Sequence, residues 1–310
     1  MAGLHYGSAR IRTANQLKKF AVGNTIRIKK GTDILSLMKV LLGQLAPELG
    51  EKVKNVGKIK GALEGRDVDL ALFGELFLTG YMVRTDTARL AETIDGESVS
   101  AVKDIASSSG AHILFGMPEL DEKTKVVYNS AVLVTPKRET SVYRKLHLAT
   151  FGPFEEQLYF GRGKDLSPFE TDIGSIGPII CFDSFFPELS KVYALKGADI
   201  IACISGSPSS SRTMFETVLP ARAVENTVFV LYCNLVGTEL NMVYHGGSFI
   251  IGPRGDEKVK GKYYEEDLIE CDIDLGELRA SREARPTIRD TRFDVLREIE
   301  GFGPEDTLES

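Results

Sequence analysis

With 310 residues, 43% of them hydrophobic, the chain can build one large α/β domain or two smaller ones, and no Pro/Gly/Ser-rich linker divides it, which favours one. A net charge of −6 is mild and argues against a nucleic-acid partner. Its longest apolar runs fall well short of the roughly 18 residues that suggest a membrane span, so no membrane partner is expected.

Residues 1–37 stand apart. Arg10, Arg12, Lys18, Lys19, Arg27, Lys29 and Lys30 precede the first acid, Asp33, and the apolar pattern is weak. This is read as a basic N-terminal extension outside the core, partly disordered. Its makeup is shared by organellar transit peptides and by plain solvated arms, so organellar targeting stays open. The core domain is placed at 38–296 and a C-terminal tail at 297–310. It begins with a buried strand, Met38–Leu45. Gly50–Leu63 has helical spacing, with Val53, Val56, Ile59 and Leu63 on one face. Leu70–Phe73 reads as a strand leading to Glu75, Ser98–Ser108 as a helix and His112–Phe115 as a strand. Asn129–Val134 and Thr140–Tyr143 form a hairpin around Pro136–Arg138 and lead to Lys145. Ile176–Ile180 is a buried strand running into Cys181. Leu189–Lys196 is a helix ended by Gly197, Ile200–Ile204 a strand and Arg212–Glu225 a long helix. Val228–Leu235, Gly247–Ile251 and Leu268–Asp272 complete the strands. Helices alternate with strands early and strands crowd together late, which implies a mostly β interior with helices outside.

The stretch IGPIICFDSFFPE, Ile176–Glu188, carries the chemistry. A strand stops at Cys181, a polar turn follows, and a helical pattern starts near Pro187. A nucleophile at such a strand-to-helix turn is held exposed at the top of a sheet. An ordinary thiol is mostly protonated at neutral pH and needs a base or a nearby cation. Glu75 and Lys145, each just past a strand, supply that base and that cation, a set suited to acyl transfer onto sulfur. The other cysteines, Cys203, Cys233 and Cys271, lie in or beside strand-like runs and read as small buried hydrophobes. None of the four forms a CxxC pair, so a zinc knuckle or redox motif is not expected. Without a secretory signal, a cytoplasmic setting with free thiols is expected. His5, His112 and His245 show no ligand spacing, so no metal and no cofactor is expected; His147, in LHL, reads as structural, and Asp183 as a turn or hydrogen-bonding residue.

FGELFLTGY, YRKLHL and CFDSFFPE, in this order, resemble the three signatures of the nitrilase, or carbon–nitrogen hydrolase, superfamily, from about Met38 to about Leu296. The resemblance implies a four-layer α-β-β-α sandwich of two sheets with helices on both outer faces. It implies a catalytic trio of Glu75 as general base, Lys145 as oxyanion stabiliser and Cys181 as nucleophile, with the backbone N–H of Phe182 as a second oxyanion donor. FEEQLYF resembles the segment carrying the family's second glutamate, which falls on Glu156 and implies a role in orienting Lys145. Arg222 and Glu225 in PARAVENTVFV resemble the family's RAxEN element, an internal ion pair. Gly74 departs from the proline usual before the glutamate. Cys181-Phe182-Asp183 departs from the Cys-Trp-Glu of true nitrilases, which favours a small amide or carbamoyl substrate over a nitrile. FGPFEEQLYF, ISGSPSSSR and LYCNLVG resemble the glutaminase part of NAD synthetases, but no synthetase portion follows, so a stand-alone amidase is expected. The loop 206–212 either hydrogen-bonds a polar substrate or is simply a turn. RPTIRDTRFDVL resembles the family's C-terminal arm, which implies a homodimer or higher homo-oligomer. N-carbamoyl amide hydrolysis or a stand-alone glutaminase subunit is the near alternative. A catalytically silent binding subunit is the distant one.

Overall fold

A computed structural model of the protein describes residues 37–299. The basic extension read at 1–37, Leu37 apart, and the last residues of the tail lie outside the described residues. The expected strands all form, most with shifted ends: β1 (Leu37–Gln44), β2 (Leu70–Phe73), β3 (His112–Leu120), β4 (Val127–Val134), β5 (Thr140–Arg144), β7 (Gly174–Ile180), β8 (Ile200–Ser205), β9 (Phe229–Asn234), β12 (Phe249–Ile251) and β14 (Asp267–Asp274). Four short strands join them: β6 (Phe169–Thr171), β10 (Val236–Glu239), β11 (Met242–His245) and β13 (Glu257–Lys260). Three to four residues of mixed polarity leave too little alternation to be read as strands.

The strands make two six-stranded sheets, ordered β14-β1-β2-β3-β4-β5 and β13-β12-β9-β8-β7-β6, with the β10–β11 hairpin apart. Each has a parallel centre, β1-β2-β3 and β7-β8-β9, flanked by antiparallel strands. Period-two alternation explains the layering. Val40, Leu42, Leu70 and Leu72 point into the core shared with the second sheet. Leu41, Ala71 and Phe73 point the other way, onto the helices Lys52–Leu63 and Glu97–Ser109. Helices Pro187–Leu195 and Arg212–Asn226 bury Leu189, Tyr193, Phe215 and Leu219 in the larger core. The result is the expected α-β-β-α sandwich.

Two local readings are corrected. Val53 is 87% exposed, and the buried face of its helix instead carries Asn55, Ile59, Ala62 and Leu63. Asn55 is inside because its side chain bridges backbone, accepting from Glu48 N and donating to Glu48 O and Leu78 O. Cys203 and Cys233 are fully buried, but Cys271 sits near a sheet edge and is partly exposed.

Candidate active site

Parallel strands end together, and their carboxyl ends are where open α/β sheets gather functional groups. Here two such ends meet. β2 stops at Phe73, and the chain turns sharply: Leu76 takes a φ of +49°, and Glu75 is directed inward. β7 stops at Ile180, and Cys181 takes a φ of +46° at the head of a single 3-10 turn, Cys181–Phe185, before the helix from Pro187. A left-handed non-glycine residue at a site is a strain that the surroundings must hold in place. Here Ser184 Oγ donates to Cys181 O at 2.7 Å. Arg222 Nε donates to Ser184 O at 3.1 Å. Arg222 also pairs with Glu225 at 3.0 Å, though Glu225 is partly exposed, so the pair is less internal than expected. Asp183 is the chief clamp. Its carboxylate accepts from Ile180 N, Tyr143 Oη, His147 N and His147 Nδ1, tying the nucleophile turn to the lysine segment. His147 stacks on Phe186, with ring centroids 3.5 Å apart.

The geometry brings Glu75, Lys145 and Glu156 into direct contact. Lys145, just past β5 and 0% exposed, donates from Nζ to Glu75 Oε1 and to Glu156 Oε1, both at 2.7 Å. Glu75 Oε1 also accepts from Asn129 Nδ2 and Oε2 from Gly206 N, each at 2.8 Å. An ionised carboxylate has about four acceptor positions. Three are occupied, which leaves one open. Glu156 Oε2 accepts from Ala149 N at 2.9 Å, and Oε1 also accepts from the Tyr81 hydroxyl at 2.5 Å. Of the two acids in FEEQLYF, Glu156 is the one that makes these contacts.

The electrostatics set the protonation states. Burial works against the Lys145 ammonium, but the Glu156 and Glu75 carboxylates outweigh it and hold its pKa well above the ordinary value. Burial pushes Glu156 up, opposed by Lys145. Burial, and then the negative charge of Glu75, push the Cys181 thiol well above its usual range, while Lys145 pulls it down. The sulfur therefore lies within the field of both groups and rests as a thiol. The Phe182 amide is in the first turn after the strand, where N–H groups lack partners within the turn.

Gly74 is explained by packing. A Cβ there would come 2.4 Å from Leu235 Cδ2 and 3.1 Å from Ser205 O, so neither alanine nor proline fits beside this leucine. The loop 206–212 contributes the Gly206 N–H to Glu75, and Ser207 N bonds Asn234 Oδ1. Sequence reasoning missed Tyr81, Asn129 and Gly206. Tyr81 lies within the quoted glutamate segment and could have been found there; Asn129 and Gly206 carry no local signal. Among the described residues no group of His, Cys, Asp and Glu is arranged to hold a metal ion, and no helix is long and apolar enough to cross a membrane.

Residues 39–283 match the carbon-nitrogen hydrolase family. The chain is 30% identical to a probable nitrilase of Schizosaccharomyces pombe over 82% of this chain and 94% of that one. It is 32% identical to a 2-oxoglutaramate amidase of Bacillus subtilis over 79% and 94%. Its fold superposes on a CN-hydrolase superfamily protein of Xanthomonas campestris with a TM-score of 0.74, at 26% identity over 83% of this chain and 97% of that one.

Proposed function

Because the chain belongs to the carbon-nitrogen hydrolase family, we propose that it hydrolyses a linear carboxamide to a carboxylic acid and ammonia or an amine through a thioester on Cys181. The observation that carries this reading is Lys145 Nζ at 2.7 Å from Glu75, fully buried and within the field of the Cys181 thiol.

Glu75 takes the thiol proton as sulfur bonds to the amide carbon and the carbonyl electron pair moves onto oxygen. The oxyanion is met by Lys145 Nζ and the Phe182 N–H; one such preorganised donor is worth about 3–4 kcal/mol. When the carbonyl re-forms, the C–N bond breaks and Glu75 gives its proton to the departing nitrogen. A water then loses a proton to Glu75 and adds to the thioester. Collapse releases the acid, and the proton returns to sulfur. Glu156, held by Ala149 N and Tyr81, keeps Lys145 charged and aimed throughout. No cofactor is needed at any step.

Phe182-Asp183 after the nucleophile, in place of Trp-Glu, supports an amide over a nitrile. The test is an amide panel assayed for released ammonia, with intact-mass detection of an acyl adduct on Cys181. The adduct is expected in the wild type and absent in Cys181→Ala. Carbon dioxide among the products would move the assignment to a carbamoyl substrate. Neither ammonia nor an adduct with any amide would favour a silent binding subunit and end the hydrolase reading.

A further inference from the structure

Among the described residues, the buried acid Glu239 forms no ion pair with a lysine or arginine. Glu239 ends β10, in the hairpin that belongs to neither large sheet, and is 6% exposed. Its Oε2 accepts from Tyr81 N at 2.9 Å and Met82 N at 2.8 Å. Its Oε1 makes no hydrogen bond of ordinary geometry, and the Tyr244 hydroxyl beside the carboxylate makes none either. Burying a carboxylate without a counter-charge is costly, and such a group persists where its remaining bonds matter.

The two amides it holds belong to the segment that shapes the site. Gly80, at φ +75°, packs so close that a Cβ there would lie 3.0 Å from Glu239 Oε1. The chain then presents the Tyr81 ring, set edge-on against Phe154 at 5.9 Å. The Tyr81 hydroxyl reaches Glu156, Glu156 reaches Lys145, and Lys145 reaches Glu75. A continuous line of hydrogen bonds and one side chain thus joins the hairpin to the base. We propose that Glu239 is a positioning residue for the amide hydrolysis described above: by gripping the Tyr81 and Met82 amides it fixes the phenol that holds Glu156, and through Glu156 the Lys145 ammonium, in line with Glu75. The assignment rests on that reading of the site, and it places no substrate contact on Glu239 itself.

The experiment compares Glu239→Ala, Glu239→Gln, Tyr81→Phe and the double variant Glu239→Ala/Tyr81→Phe, each shown to be folded by its thermal transition. On the best amide of the panel, Glu239→Ala is expected to lower kcat at least about 30-fold with KM within about 3-fold, as for a reactive group displaced by a fraction of an ångström. Glu239→Gln offers the same two amides a carbonyl oxygen and is expected to restore most of the loss. The double variant should be no slower than the slower single variant, because both changes cut one line. Multiplying losses, or a folded Glu239→Ala with unchanged kcat, would overturn the proposal. Should the wild type hydrolyse no amide, the hydrolase reading falls, and iodoacetamide alkylation of Cys181, mapped by peptide mass, decides the positioning role alone. Equal changes in Glu239→Ala and Tyr81→Phe support it; an unchanged rate in Glu239→Ala overturns it.

Discussion

Gly116 on β3 is where the base turn and the sheet touch most closely, and Gly116→Ala tests whether that contact sets catalysis. Gly116 N donates to Gly74 O at 3.1 Å, and Gly116 O accepts from Leu78 N at 3.0 Å, so β3 clamps the turn on both sides of Glu75. A Cβ on Gly116 would lie 2.2 Å from Leu76 N, 2.7 Å from Gly74 O and 2.8 Å from the Glu75 carbonyl carbon. All three are backbone atoms, so no rotamer change makes room. Restoring ordinary contact, which begins near 3.4 Å, moves the turn by roughly 1 Å, and a displacement of that size costs about 100-fold in rate, or about 2.7 kcal/mol of barrier. The Glu75 bonds to Lys145 at 2.7 Å and to Gly206 at 2.8 Å have no slack to absorb it. Overpacking adds about 1–3 kcal/mol of lost stability. The assay is ammonia release from the best wild-type amide, with thermal melting and circular dichroism to establish that the variant is folded. A folded Gly116→Ala enzyme within about threefold of wild-type kcat would refute the claim that this contact holds the base to a fraction of an ångström.

Lys145→Met strands Glu75 and Glu156 without their shared cation. Urea unfolding should show a loss of about 3–5 kcal/mol, with hydrolysis abolished. Glu239 gives a pH signature: burial raises it to about 7, so the folded protein binds this proton more tightly than the unfolded chain, whose group titrates near 4.5. Stability from this group is therefore present below about pH 4.5 and lost as pH rises through 7, about 3 kcal/mol in all. The melting temperature of Glu239→Gln relative to wild type should accordingly rise between pH 5 and pH 8, and a flat difference would contradict the assignment. Gly74→Ala should destabilise the protein and slow hydrolysis, and adding Leu235→Ala should recover part of both, because Leu235 Cδ2 occupies the space the new methyl needs. Double-variant melting and kcat measurements read this out, and independent effects would contradict it.

The sheets were legible because long apolar strands announce themselves by period, and Glu75, Lys145 and Cys181 drew attention because each follows such a strand. The layering of the two sheets was not readable from pattern and came only through the family resemblance, and the strand order was not readable at all. The β10–β11 hairpin was invisible: Val236–Glu239 and Met242–His245 are short and of mixed polarity. Glu239 was lost with it. The partners of Glu75 were hidden for another reason. Asn129 lies mid-strand and Gly206 acts through its backbone amide, so neither residue type advertises the bond it makes. Val53 misled because its spacing fits an apolar face; the helix is rotated instead to bury Asn55 over the backbone of Glu48 and Leu78.

Glu75 and Lys145 leave the ends of β2 and β5 in one sheet, whereas Cys181 and Gly206 follow β7 and β8 in the other. On the proposed mechanism, proton donor and proton acceptor are thus mounted on opposite walls of the seam between the sheets. The gap across which the proton travels is a dimension of the hydrophobic interior itself. Side chains in that seam, such as Leu72 and Ile179, set the spacing of the two walls without touching a reactant, and on the proposed mechanism a modest slide of one wall past the other would stop turnover before the protein melts.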